Sequence, residues 1–231
     1  VSKRPSSDPS VWEEPTLQPP LPADPSGHVG DEPLIGATRP ALPTYGTDYR
    51  ARRSATPASR RRFAVIAAAL VAGPAGIIGA FLGAFASVGS LRAVVLAVVL
   101  IGPAVEEFVK AASALYLAEQ RPWLVPSGWT LVAVVVAGGL GFAAIENWVY
   151  LTIYIEDPTE AIIRWRWIFG PLVHGSASLL AGLGVRRIWR HTHTTGAQPD
   201  AQRALPWFIA SVALHGTYNA VAVVLEALDV I

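Results

Sequence analysis

The sequence contains no cysteine and no methionine among its 231 residues. The missing cysteine excludes a disulfide scaffold, a thiolate metal site and a cysteine nucleophile. With no methionine even at position 1, Val1 is either a start residue written as valine or an internal position of a longer chain. Charge of one sign is also lacking: the net formal charge is +1, which gives no electrostatic case for a nucleic-acid partner. What the chain has instead is apolar mass, 52% of its residues, with a mean hydropathy of +0.40.

That mass is unevenly distributed. Residues 1–62 hold 11 of the 19 prolines and no long apolar run. A segment so rich in Pro, Ser and Asp buries too little apolar surface to offset its ordering entropy, so it is expected to be a disordered tail. Up to Asp48 it carries three basic and seven acidic residues, and from Tyr49 to Arg62 six arginines and no acid. It is too long and too polar for a secretory signal peptide.

Five apolar runs follow, at roughly 63–86, 93–117, 129–155, 165–188 and 206–228. Each is long enough to cross ~30 Å of hydrocarbon as a helix, and lipid offers no partner for open backbone groups. The expected fold is therefore all-α: a polytopic integral membrane bundle of about five transmembrane helices over residues 63–231, behind the tail. Arginines set the orientation. The cluster before the first run places the N-terminus in the cytoplasm and the C-terminus outside. The connection "EDPTEAIIRWR", with three acids and two arginines, then falls outside, and "RRIWRHTHTTGAQPDAQR", with four arginines, inside. Trp123, Trp129, Trp165, Trp167, Trp189 and Trp207 fall near run ends, as interfacial anchors do. Gly79 and Gly83, and the group Gly138, Gly139 and Gly141, suit close helix packing in lipid.

Polar residues inside these runs carry the functional signal, because a charged side chain at mid-membrane costs at least ~2.5–3.5 kcal/mol. The stretch "IGPAVEEFVKAA" brings Glu106, Glu107 and Lys110. The next run brings Glu146 and Asn147, the fourth His174 and Ser178, and the fifth His215 and Asn219. Counted from the outer end at ~1.5 Å per residue, Glu106 lies ~20 Å deep, Glu146 ~14 Å, His174 ~12 Å and His215 ~17 Å. Four helices of alternating direction thus bring one polar cluster each to one layer. Residues four apart share a face, so Glu106 can pair with Lys110, and Asn219 can orient His215 or donate to a substrate oxygen. Glu107 points about 100° away from Glu106.

Two chemistries fit this inventory. Glu146, His174 and His215 make a three-ligand zinc set, with Glu106 or Glu107 taking the proton of the attacking water. Alternatively the close carboxylates serve as a proton-carrying base without metal, helped by His and Asn side chains. Lys110 and Asn147 are expected as structural partners. Ser178 is poorly placed as a nucleophile, since its nearest histidine in sequence is on its own helix. His191 and His193 lack an adjacent acid and read as loop residues.

The elements "EEFVK", "GFAAIEN", "HGSAS" and "HGTYN", in that order on successive runs, resemble the PrsW family of intramembrane proteases, relatives of the prenyl-protein (CAAX-type) and bacteriocin-processing membrane proteases. The match covers about residues 100–220 and carries over to Glu106, Glu107, Lys110, Phe142, Glu146, Asn147, His174, His215 and Asn219. The resemblance implies an intramembrane endopeptidase of a bacterial-type cell membrane. It implies a membrane-anchored protein substrate such as an anti-sigma factor, cut on its external side, and leaves Zn2+ or a metal-free glutamate mechanism open. A proton-coupled carrier, or an inactive scaffold of protease-like fold, are the competing readings of the same polar residues. The arginine end of the tail is suited to membrane lipids.

Overall fold

The computed structural model describes residues 44–86 and 91–228. The described residues are helical, without strands. Helix α1 spans Tyr45–Ala55, α2 Ala58–Ala86 and α3 Leu91–Leu96. A π-turn at Ala97–Ile101 leads into α4, Gly102–Gln120. Helix α5, Gly128–Val149, ends in a second π-turn at Tyr150–Tyr154. Helices α6, Glu160–Thr195, and α7, Leu205–Ala227, complete the chain. The five apolar runs thus coincide with α2, α3–α4, α5, α6 and α7. By length and hydropathy alone, Gly128–Tyr154, Glu160–Thr195 and Ala201–Leu225 are long and apolar enough to cross a membrane. In α4 the charges of Glu106, Glu107, Lys110 and Glu119 interrupt the apolar run.

Small side chains crowd the inward faces, beside the larger Leu117, Leu131 and Ile188. Lipid is as apolar as leucine, so helices associate by close packing rather than by escape from water. The core is accordingly built from Ala111, Ala114 and Ala118 of α4, Val134 and Val135 of α5, and Ala181 and Val185 of α6. Larger groups such as Phe63, Leu70, Ile168, Leu172 and Val224 face outward. Helix α5 lies along α6, α2 along both α4 and α5, and α7 along α6. Helix α4 touches α2, α5, α6 and α7, which is why its charged residues are enclosed.

The glycines of α5 have the expected role. A Cβ on Gly138 would meet Ala72 at 2.6 Å, and one on Gly139 would collide with the Ser178 side chain. Ser178 is fully buried beneath Gly139, a packing residue of the α5–α6 crossing. Gly79 and Gly83 lie in α2, but the surroundings of residues 75–86 lie outside the described part of the structure.

Three expectations change. The chain is helical from Tyr45, so order begins well before residue 62; residues 1–43 lie outside the described residues. Helix α1 forms because its partners are remote: Tyr49 Oη meets His193 Nδ1 at 2.9 Å, and Arg53 donates to the Val125 and Pro126 carbonyls at 2.8 and 3.1 Å. Burial pushes the Tyr49 phenol up from its ordinary value, with Arg53 pulling the other way, which leaves the hydroxyl as donor. His191 and His193 sit in the last turns of α6 rather than in a loop. Trp189 is no interfacial anchor: it is buried, donates to the Pro122 carbonyl at 3.0 Å and stacks on His193 at 4.5 Å. Trp129 and Trp167, by contrast, are exposed as anchors should be.

The π-turn before α4 follows from Pro103. Within it the Gly102 N–H donates five residues back, to the Ala97 carbonyl. The next donor in that pattern would be residue 103, but proline has no N–H. The Val98 carbonyl is left over, and Asn219 Nδ2 of α7 takes it at 2.9 Å. One turn earlier, Gly216 lets the α7 backbone close directly on the Val99 carbonyl, where any Cβ would overlap it. Helix α7 is thereby fixed to the start of α4. Gly216→Ala should lower the thermal midpoint of the detergent-purified protein, with a cost of about 1–3 kcal/mol for overpacking. Gly175→Ala faces only the flexible end of Leu140 and should stay within about 0.5 kcal/mol of the parent.

Candidate active site

The polar residues of α4, α5, α6 and α7 meet in one enclosed cluster. Glu107, Lys110 and Asn147 are fully buried, and Glu106, His174 and His215 nearly so. Lys110 is the hub. Its Nζ lies 2.8 Å from Glu107 Oε1, 2.9 Å from His174 Nδ1 and 3.6 Å from Glu106 Oε2, and 4.1 Å from the centre of the Phe142 ring. Phe142 in turn packs edge-on to His174 at 4.9 Å.

The two adjacent glutamates have different jobs. Glu107 is saturated: Lys110 and His215 Nδ1, at 3.0 Å, share Oε1, and Ser211 Oγ lies 3.3 Å from Oε2. The Ser211 hydroxyl has one hydrogen, and its 2.8 Å contact to the Ala177 carbonyl also ties α7 to α6. Glu106 is the opposite. Its Oε2 is buried without a hydrogen-bond partner, yet faces Lys110 at 3.6 Å and His215 Nε2 at 3.9 Å.

The histidines are held in different tautomers. His215 Nδ1 donates to Glu107, so Nε2 carries the free lone pair and faces Glu106. This is the arrangement in which a carboxylate orients an imidazole for a metal. The Lys110 ammonium has only hydrogens to give, so Nδ1 of a neutral His174 accepts. Its ring hydrogen is then on Nε2, directed at Glu146 Oε2 3.0 Å away. The rings stand edge to face, 4.6 Å apart.

Glu146 belongs to the rim. Its side chain is 22% exposed, the most of the cluster's three carboxylates, and Arg166 Nη2 approaches its Oε2 at 3.7 Å. The Arg166 guanidinium covers the Tyr150 ring at 3.8 Å. Asn147 donates to the Arg166 carbonyl at 2.9 Å and packs against Gly170, a structural role at the α5–α6 crossing.

The ligand set differs from the expected Glu146, His174 and His215. The group whose donor atoms lie within 4.8 Å of one another is Glu106, His174 and His215. Glu146 is drawn aside by its bonds to His174 and Arg166. Asn219 neither orients His215 nor enters the cluster, being committed to Val98. Sequence reasoning missed Ser211 and Arg166 as parts of the site, while Phe142, carried over by the resemblance, packs on Lys110 and His174. Ser211 was detectable one turn before His215 on the same face, and Arg166 two turns before His174.

Two imidazoles and a carboxylate suit a divalent ion of the zinc type. The unpartnered Glu106 Oε2 and the free lone pair of His215 point to the same space, and His174 joins them when Lys110 passes a proton to Nδ1 as Nε2 loses its own. The residues therefore fit a metal.

A helical bundle that encloses glutamates and histidines among apolar helices is the architecture of a polytopic membrane protein with a buried polar site. The model of the PrsW family, intramembrane metalloproteases, matches residues 56–231, and the chain belongs to that family. No curated protein and no solved structure matches the chain. The chain is thus a multi-pass membrane protease.

Elemental analysis of the purified protein should find about one divalent ion per chain. Glu106→Gln, or His174→Ala with His215→Ala, should abolish it. Glu107→Gln, which frees His215 from its orienting carboxylate, should weaken binding by about 10–100-fold while leaving the site able to fill.

Proposed function

We propose that the protein cuts a membrane-anchored protein by hydrolysis at the Glu106–His174–His215 centre, with Glu146 carrying the proton. The observation behind this reading is the convergence of those three donors beside the one carboxylate that a substrate can reach from the rim. A zinc-type ion held there supplies Lewis-acid polarisation of the scissile carbonyl and activation of water.

The chain's own residues do the rest. Glu107 and Ser211 fix His215, and Lys110 fixes His174 and offsets the negative charge of the glutamates. The enclosed α4–α7 contact keeps bulk water from the inner face of the cluster. Glu146 accepts the proton of the attacking water as the C–O bond forms. It returns that proton to the amide nitrogen as the C–N bond breaks. Arg166 at the rim helps hold Glu146 in place.

One observation favours a second reading. His174 directs a ring hydrogen at Glu146, the arrangement of a His-supported carboxylate base that works without metal.

Arginines support the orientation. The end of the bundle with α1, the α4 and α6 C-termini and the α7 N-terminus carries the arginine excess, and the end with Glu156, Asp157 and Glu160 the acids. We place the first end, and the N-terminus, in the cytoplasm, so that Glu146 and Arg166 lie toward the outside. An anti-sigma factor with one span and an external domain meets the geometric requirement. The five apolar helical runs are taken as five spans.

The full chain, co-reconstituted in vesicles with single-span anti-sigma factors, should cleave one on its external side. Glu146→Gln and His215→Ala should each reduce cleavage by roughly 10²–10⁴-fold. Loss of activity to a chelator supports the metal centre, and chelator-resistant cleavage with Glu146 still required supports the second reading. Cleavage that survives both substitutions refutes the assignment.

A further inference from the structure

The arginines at the α1 end do more than mark a side of the membrane. Five of them lie over tryptophan rings, Arg53 over Trp189 at 5.8 Å among them. Arg52 and Arg121 sit on Trp123 at 4.7 and 5.5 Å, Arg186 on Trp129 at 4.2 Å and Arg187 on Trp207 at 5.8 Å. These pairs occupy one end of the bundle. Gly128, beside Trp129, is in contact with Arg186 and Trp189, and Gly184 with Trp207 and Ala204. Helix α1 is brought to that end by its own clamps, Tyr49 on His193 and Arg53 on the Val125 and Pro126 carbonyls. Arg53 turns inward, and Arg52 of the same helix turns outward to Trp123.

Counter-ions are scarce there. Among the described residues, the carboxylates at this end within 4 Å of an arginine are Asp48, on Arg52, and Asp200, on Arg203. Arg121, Arg186 and Arg187 have no carboxylate partner among the described residues. A guanidinium over an indole face without a carboxylate partner has N–H groups left to fork a phosphate. Trp129 is 60% exposed, as a ring at the headgroup level should be.

We propose that this collar binds anionic phospholipid: Arg121, Arg186 and Arg187, lying over Trp123, Trp129 and Trp207, each offer a guanidinium edge to a headgroup phosphate. The acyl chains then lie along the apolar faces of α5 and α7, which present Trp129, Leu205 and Ile209 outward. Charge complementarity selects the anionic lipid, and the adjoining apolar helix surface selects a lipid over a soluble anion. The site is independent of the Glu106 centre and of the protease reading.

The test uses the full chain in neutral detergent with phosphatidylglycerol or phosphatidylcholine of matched acyl chains, followed by native mass spectrometry and thermal unfolding. Phosphatidylglycerol should be retained and should raise the thermal midpoint, and phosphatidylcholine should do neither. Arg121→Gln with Arg186→Gln and Arg187→Gln should weaken retention by on the order of a hundredfold, for three lost basic contacts. The corresponding triple lysine variant, which keeps the charge but not the stacked fork, should fall between them. Three results overturn the proposal: equal retention of the two lipids, a lysine variant equal to wild type, or an equal midpoint shift from inorganic phosphate. The wild-type lipid comparison decides the matter on its own if the glutamine variant does not fold.

Discussion

Lys110 is an ammonium group with no water to solvate it, and burial of such a charge is strongly unfavourable unless other groups take over the role of water. Glu107 and Glu106 on its own helix, His174 from α6 and the Phe142 ring from α5 do so. Two of those partners come from helices that must be at the right height to reach it. The cation therefore fixes the register of α4, α5 and α6 together, and it fixes the tautomer of His174. Glu107, held by Lys110, passes the constraint on to His215 of α7. One buried charge thus orders residues from four helices, and it leaves Glu106 Oε2 as the group with unspent capacity.

A second constraint runs through the backbone. Pro103 cannot supply the N–H that its turn calls for; the Val98 carbonyl finds Asn219 on α7, and the Val99 carbonyl lies against Gly216. A defect in one helix becomes the docking point of another. Because Glu106 follows that turn and His215 precedes Gly216, the same contact sets the distance between the two facing donors. The turn's irregularity is tolerable in lipid because protein groups, rather than hydrocarbon, meet its free carbonyls.

Much of this was legible in the sequence. Apolar run length is a local property, and the helices follow it. The alignment of Glu106, Glu146, His174 and His215 in one layer follows from counting along helices of alternating direction. Rotation about each helix axis was not legible, and that is what separates Glu106 from Glu107 and Glu146 from the metal set. Asn219 could not be assigned because its partner is a backbone carbonyl exposed only by the π-turn. Helix α1 was read as disordered because its composition is polar. It is held instead by contacts such as Tyr49 to His193, between residues far apart in sequence.

Helix α6 runs unbroken through Pro171 for 36 residues, a rod of ~54 Å against a hydrocarbon layer of ~30 Å. Its last turns, with Trp189 and His193, carry helix α1. His174 lies ~28 Å back along the axis from His193. For a rod pivoting at its docked end, each degree of tilt moves His174 by ~0.5 Å at that radius. Its 3.0 Å contact with Glu146 cannot outlast a tilt of a few degrees. The seating of a short polar helix at one end of the bundle is therefore a mechanical condition for the geometry of the polar cluster buried within it.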